Sequence, residues 1–70
     1  MLTLIFNTTE KKATLMSGLN EDSKTIEVYE KVYTVQPSPE GFYVVLQESE
    51  SGRAPVLRLP IAATIMKIVK

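Results

Sequence analysis

The chain contains no cysteine and no histidine. Without cysteine there is no disulfide to restrain the unfolded state, and secretion gains no support from the composition. Without either residue, zinc sites built from thiolate and imidazole are excluded. The Ser-His-Asp and Cys-His arrangements of nucleophilic catalysis fall with them, as does imidazole proton transfer near neutral pH. Glycine occurs three times and aspartate once, at Asp22. Three scattered glycines cannot form a phosphate-cradling loop, and one aspartate makes a poor carboxylate cage for calcium or magnesium. Neither sign of charge prevails: eight basic and eight acidic residues cancel. No overall field therefore draws the chain toward nucleic acid or anionic lipid. The apolar runs fall far short of the ~20 residues of a membrane helix, and the first residues lack the basic leader of a signal peptide. A cytoplasmic protein, off the membrane and without a cofactor, is the expectation.

What is present is an ordinary globular composition, 44% hydrophobic and 23% charged, in 70 residues. That length makes one domain over residues 1–70. A chain of this size buries only about 60% of its unfolded surface, so its stability must come from good packing or from self-association.

Most segments alternate apolar and polar residues with the period of two that marks a strand. Leu2, Leu4 and Phe6 alternate with Thr3, Ile5 and Asn7, and Ala13-Thr14-Leu15-Met16 resumes the pattern after polar residues 8–12. Together these predict a β-hairpin with a loop of about five residues, its second strand stopped at Ser17-Gly18. Residues 20–23 read as a solvated loop. Residues 24–35 are ambiguous. Their density of Thr25, Ile26, Val28, Val32, Tyr33, Thr34 and Val35 favours strand. The spacing of Ile26, Tyr29 and Tyr33, with a Glu27–Lys31 pair and Ser23 as cap, fits a helix. As strand, the inward phase shifts from Ile26 and Val28 to Tyr33 and Val35, which predicts a bulge or break near Glu30-Lys31.

Pro37-Ser38-Pro39-Glu40-Gly41 is the clearest turn, joining a strand at 32–36 to one at 42–47. After a second exposed loop at 48–53, Pro55-Val56-Leu57-Arg58-Leu59-Pro60 reads as a short strand bracketed by prolines. Residues 60–63 fit one helical turn with Pro60 at its start. Residues 64–69 then read as a final strand, with continued helix as the alternative. The expected fold is all-β: a small SH3-like barrel or a strongly bent antiparallel sheet of five to six short strands. The expected core is Leu4, Phe6, Leu15, Val35, Phe42, Val44, Leu46, Leu57, Leu59 and Ile65.

Strand, loop, strand, one helical turn, strand resembles the small SH3-like barrels, a likeness of architecture that implies no activity. The terse N-terminal hairpin, with Pro55-Val56-Leu57-Arg58-Leu59-Pro60-Ile61 and Ala63-Thr64-Ile65-Met66, also resembles small uncharacterised proteins of tailed bacteriophages. That resemblance covers about half of the chain and implies no activity.

No constellation points to catalysis. A Ser23–Lys24 dyad would need sequence neighbours to face one another, which extended chain prevents. Glu21 with Asp22, and Glu48 with Glu50, sit in polar loops where carboxylates stay solvated. Charge placement is uneven only in the last third, where residues 53–70 hold Arg53, Arg58, Lys67 and Lys70 and no acid. Arg58, between Leu57 and Leu59, is expected to face outward, where its planar fork suits phosphate or carboxylate. With Arg53, Lys67 and Tyr43 it forms the candidate binding set, Tyr29 and Tyr33 offering further stacking surfaces. A surface arginine lying over apolar neighbours is the bland reading of the same residue. Residues 64–69 are apolar on both faces and end the chain, so Ile65, Met66, Ile68 and Val69 are the candidate dimer interface. The composition favours a non-enzymatic interaction module that is a homodimer and acts on a protein, such as a phage-encoded regulator or inhibitor of a host protein. An anion, nucleotide or nucleic-acid binder and a structural subunit of a larger assembly are the alternatives.

Overall fold

The computed structural model describes residues 1–18 and 24–70. The loop expected at residues 20–23, and with it Glu21, Asp22 and Ser23, lies outside them. Seven strands follow one another: β1 (Leu2–Asn7), β2 (Lys12–Ser17), β3 (Lys24–Tyr29), β4 (Val32–Pro37), β5 (Phe42–Ser49), β6 (Gly52–Pro60) and β7 (Thr64–Val69). A single 3-10 turn at Ile61–Ala63 separates β6 from β7, entered from Pro60. Both ambiguous segments are strands.

The strands form two sheets, ordered β3-β2-β1-β7 and β4-β5-β6. Sequential neighbours pair antiparallel, and β7 returns to lie parallel to β1. The structure is therefore all-β, as expected, with more strands than the five to six anticipated. It is an open two-sheet packing rather than a closed barrel.

The β1–β2 turn is held by Asn7, whose Oδ1 accepts from the backbone N–H of Thr9 (3.0 Å) and Glu10 (2.9 Å). This side-chain mimic of a backbone turn suits asparagine, and it leads the chain to Lys11 at a positive φ of 56°. The break foreseen at Glu30-Lys31 is present: Lys31 also takes φ 56° and swings the chain from the edge of one sheet to the edge of the other. Backbone bonds brace this corner. Val32 N–H donates to Lys11 O (2.8 Å), and Glu48 N–H donates to Lys31 O (2.9 Å).

The β4–β5 connection closes on Ser38 and Phe42. Ser38 N–H donates to Phe42 O, Gly41 N–H donates to Ser38 O (3.0 Å), and Gly41 has φ 95°. This is the three-residue hairpin loop in which a left-handed residue follows a type I turn. Gly41 O also accepts the N–H of Ile61 (3.0 Å), which ties the hairpin to the start of the 3-10 turn.

The core lies between the sheets. Leu4, Phe6, Ala13 and Leu15 meet Val32, Val35, Val45 and Leu59, with Leu2, Tyr29, Tyr43, Leu57 and Met66 packed at the margin. Three assignments of phase differ from the sequence expectation. In β5, Val45 is wholly buried, while Phe42, Val44 and Leu46 lie on the opposite, outward face and are half-buried. In β7, Thr64 and Met66 face inward opposite Leu2 and Leu4, and Ile65 faces out. In β3, Tyr29 pairs with the buried Ala13 and faces the core, Val28 opposite Thr14 is exposed, and Ile26, at the bulge opposite Leu15/Met16, is exposed as well; Tyr33, in β4, is exposed too. β5 is apolar on both faces and β7 is broken only by Lys67, while in β3 the apolar pair Ile26 and Val28 marks the face that turns outward. In each case pairing with the neighbouring strands, rather than the segment's own alternation, decides the phase.

Candidate interaction surfaces

Among the described residues there is no cavity or cleft, and no group of acidic residues is placed to hold a metal ion. No helix is long and apolar enough to cross a membrane. Whatever this chain binds, the described residues offer it surfaces rather than a pocket.

The first surface is the outer face of the three-stranded sheet. Its centre is the alternate set Phe42, Val44 and Leu46 of β5. Antiparallel pairing puts Gln36 and Arg58 on either side of Val44, and Thr34 and Pro55 on either side of Leu46. Arg58 thus projects from the outer face, as expected from its place between Leu57 and Leu59. Farther along, Arg53 stands opposite Glu48 in the pairing, yet its guanidinium lies 3.5 Å from the centre of the Tyr33 ring. At this exposed position such a contact is worth roughly 0.5–1 kcal/mol, enough to orient both side chains. The bulge between Val32 and Thr34 is what brings Tyr33 within reach on this face. Among the described residues the one ion pair is Lys12–Glu30, at 3.8 Å and solvent-exposed. Among the described residues neither Arg53 nor Arg58 has a carboxylate partner within salt-bridge distance.

Two of the expected binding residues are elsewhere. Tyr43 lies on the inner face of β5 opposite Leu59 and packs against the core, so its ring is no platform for a ligand held by Arg58. Lys67 stands opposite Ile5 on the outer face of the four-stranded sheet, so it does not share a face with the two arginines. What sequence reasoning missed is the Phe42-Val44-Leu46 stripe, and that Tyr33 stacks under Arg53. The signal was present: if Val35 faces the core, the tight loop after Pro37 brings Val35 opposite Val45 and turns the stripe outward.

The second surface is the free edge of β7. This strand pairs on one side with β1 and, among the described residues, has no strand on the other. Val69 O accepts from Thr8 N–H (2.8 Å), so Val69 turns its backbone groups toward β1. Successive residues of a strand alternate in this respect, so Thr64, Met66 and Ile68 turn theirs outward. Thr64 N–H is already used, donating to Ile61 O at the end of the 3-10 turn. Ile68 is 59% exposed, and Ile65 and Val69 are exposed with it.

No protein-family model, no curated protein and no solved structure matches this chain.

Proposed function

We propose that this chain is a small, non-enzymatic interaction module that recognises a protein through the outer face of β4-β5-β6. The observation that carries the reading is the stripe of Phe42, Val44 and Leu46 on β5, flanked on its β6 side by Arg58 and Arg53, neither with a carboxylate partner among the described residues. Aromatic residues and arginine are enriched at protein interfaces, and an unpaired guanidinium beside apolar surface is complementary to a carboxylate beside apolar side chains. The partner is therefore a protein segment carrying Asp or Glu among aliphatic or aromatic residues. The chain's zero net charge leaves recognition to this local pattern. The resemblance to small phage proteins suggests the setting, a cytoplasmic regulator or inhibitor of a host protein. The dispersal of Arg53, Arg58 and Lys67 over two sheets favours this reading over a nucleic-acid or nucleotide binder.

Selection from a displayed random-peptide library tests it. Binders enriched in Asp or Glu beside Leu, Ile or Phe, and lost with Arg58→Glu or Leu46→Lys, are the expected result. Selection of basic sequences, or binding that survives both substitutions, overturns it. Tight retention of single-stranded oligonucleotides or nucleotides would favour the alternative.

The chain is further proposed to be a homodimer joined through β7, supported by the exposed Ile68 and Val69 beside a free backbone edge. Light scattering at tens of micromolar should give a dimer mass, and Ile68→Asp should return a monomer by placing an unpaired charge in the contact.

A further inference from the structure

We infer that two copies join as an antiparallel β7–β7 pair whose twofold axis passes beside Ile68, making one continuous eight-stranded sheet. The inference rests on the proposed self-association and adds its register.

A free strand edge accepts only another strand with matching donors and acceptors, and the outward backbone groups of β7 belong to its even-numbered residues. In an antiparallel pair these residues must oppose one another, which leaves few registers. With Lys67 opposite the partner's Lys67, two like charges stand directly across the pair, an arrangement that destabilises sheets. Shifting the axis to Met66 sets Thr64 opposite the partner's Ile68, but Thr64 N–H is already bonded to Ile61 O. That register also runs the partner strand past residue 64 into the 3-10 turn at Ile61–Ala63.

With the axis at Ile68, none of these conflicts arises. Ile68 exchanges both backbone bonds with its own copy, and Met66 pairs with the partner's Lys70. Lys67 lies opposite the partner's Val69, so each lysine faces an apolar residue. Ile68, the most exposed of the β7 isoleucines, packs against its symmetry mate. The like charge at Lys67 and the occupied Thr64 N–H thus leave this register of the three.

The absence of cysteine makes the register directly readable, because any cysteine introduced is the only one in the chain. Lys67 and the partner's Val69 form a close, non-hydrogen-bonded pair with Cα atoms about 4.5 Å apart, within disulfide reach. Two copies of position 67 lie diagonally, roughly 7–8 Å apart, beyond it. Lys67→Cys and Val69→Cys are exchanged-exposed positions on the outer face and leave the core intact. Each is purified alone, then mixed, oxidised with oxidised glutathione and read on a non-reducing gel. The expected result is a covalent dimer in the mixture and little in either variant alone. Covalent dimer from Lys67→Cys alone places the axis at Lys67. Crosslinking in a mixture of Ile65→Cys and Lys67→Cys places it at Met66. Either outcome, or no crosslink in a chain that light scattering shows to be dimeric, overturns the register while self-association stands. A monomer mass for the unmodified chain overturns both.

Discussion

Replacing Gly41 by alanine isolates the backbone contribution of one turn. Gly41 takes φ 95°, and a β-carbon built there meets no atom within 4 Å. The cost of alanine is then almost wholly conformational, with no steric clash to confuse it. A left-handed conformation costs an L-residue about 1–2 kcal/mol. Against this, alanine restricts the unfolded chain and recovers roughly 0.4–1 kcal/mol. The net loss is about 1 kcal/mol. Unfolding entropy is about 2.1 cal/mol/K per residue, so for 70 residues this corresponds to a fall in Tm of about 7 °C. The assay is thermal unfolding followed by far-UV circular dichroism, with all variants at one concentration because association shifts Tm. Gly41→Asn is the internal control. Asparagine tolerates the left-handed region better than alanine, so its Tm should lie between the other two. A Tm for Gly41→Ala unchanged within about 2 °C would refute the reasoning and mean that Gly41 is not held at positive φ.

The phase of β5 is checked by Val45→Thr against Val44→Thr. Burying a hydroxyl at position 45 should cost roughly 1–3 kcal/mol, whereas the outward neighbour should change stability by less than about 0.5, both read from urea midpoints. Lys31→Val places a β-branched residue at φ 56° and should destabilise by roughly 1–2 kcal/mol despite adding apolar surface. An unchanged midpoint would remove the corner between the sheets. The Thr64 hydroxyl is buried without a hydrogen-bond partner among the described residues. Thr64→Val should therefore be neutral or stabilising by up to about 1 kcal/mol, and a clear loss in calorimetry would mean the hydroxyl does have a partner.

How much of this was legible in the chain depended on whether a segment carried its own phase. Leu4 and Phe6, spaced by two between Thr3 and Asn7, and Leu15 after Thr14 were assignable, as was Arg58 between two leucines. Gly41 after Ser38-Pro39-Glu40 announced its turn through chemistry that few conformations satisfy. Phe42-Tyr43-Val44-Val45-Leu46 is apolar throughout, and only its pairing with Val35 and Leu57 settles which side is buried. The same holds for residues 64–69, whose inward set follows from lying parallel to Leu2, Leu4 and Phe6. The Arg53–Tyr33 contact was beyond a local reading, because it spans β5 and depends on a bulge. The Glu27–Lys31 spacing suggested a helix, yet Lys31 serves as the left-handed corner between two strands.

The parallel pairing of β1 with β7 also governs how the molecule reaches this structure. The β1–β2 hairpin and the β4-β5-β6 meander close short loops, which chains search quickly. The β1–β7 pair joins strands from opposite ends of the sequence and must await a slow, entropically costly loop closure. Folding should thus be rate-limited by the docking of β7, with β1 presenting an open edge in the interim. Substitutions at Ile65 or Met66 should accordingly slow folding rather than only speed unfolding.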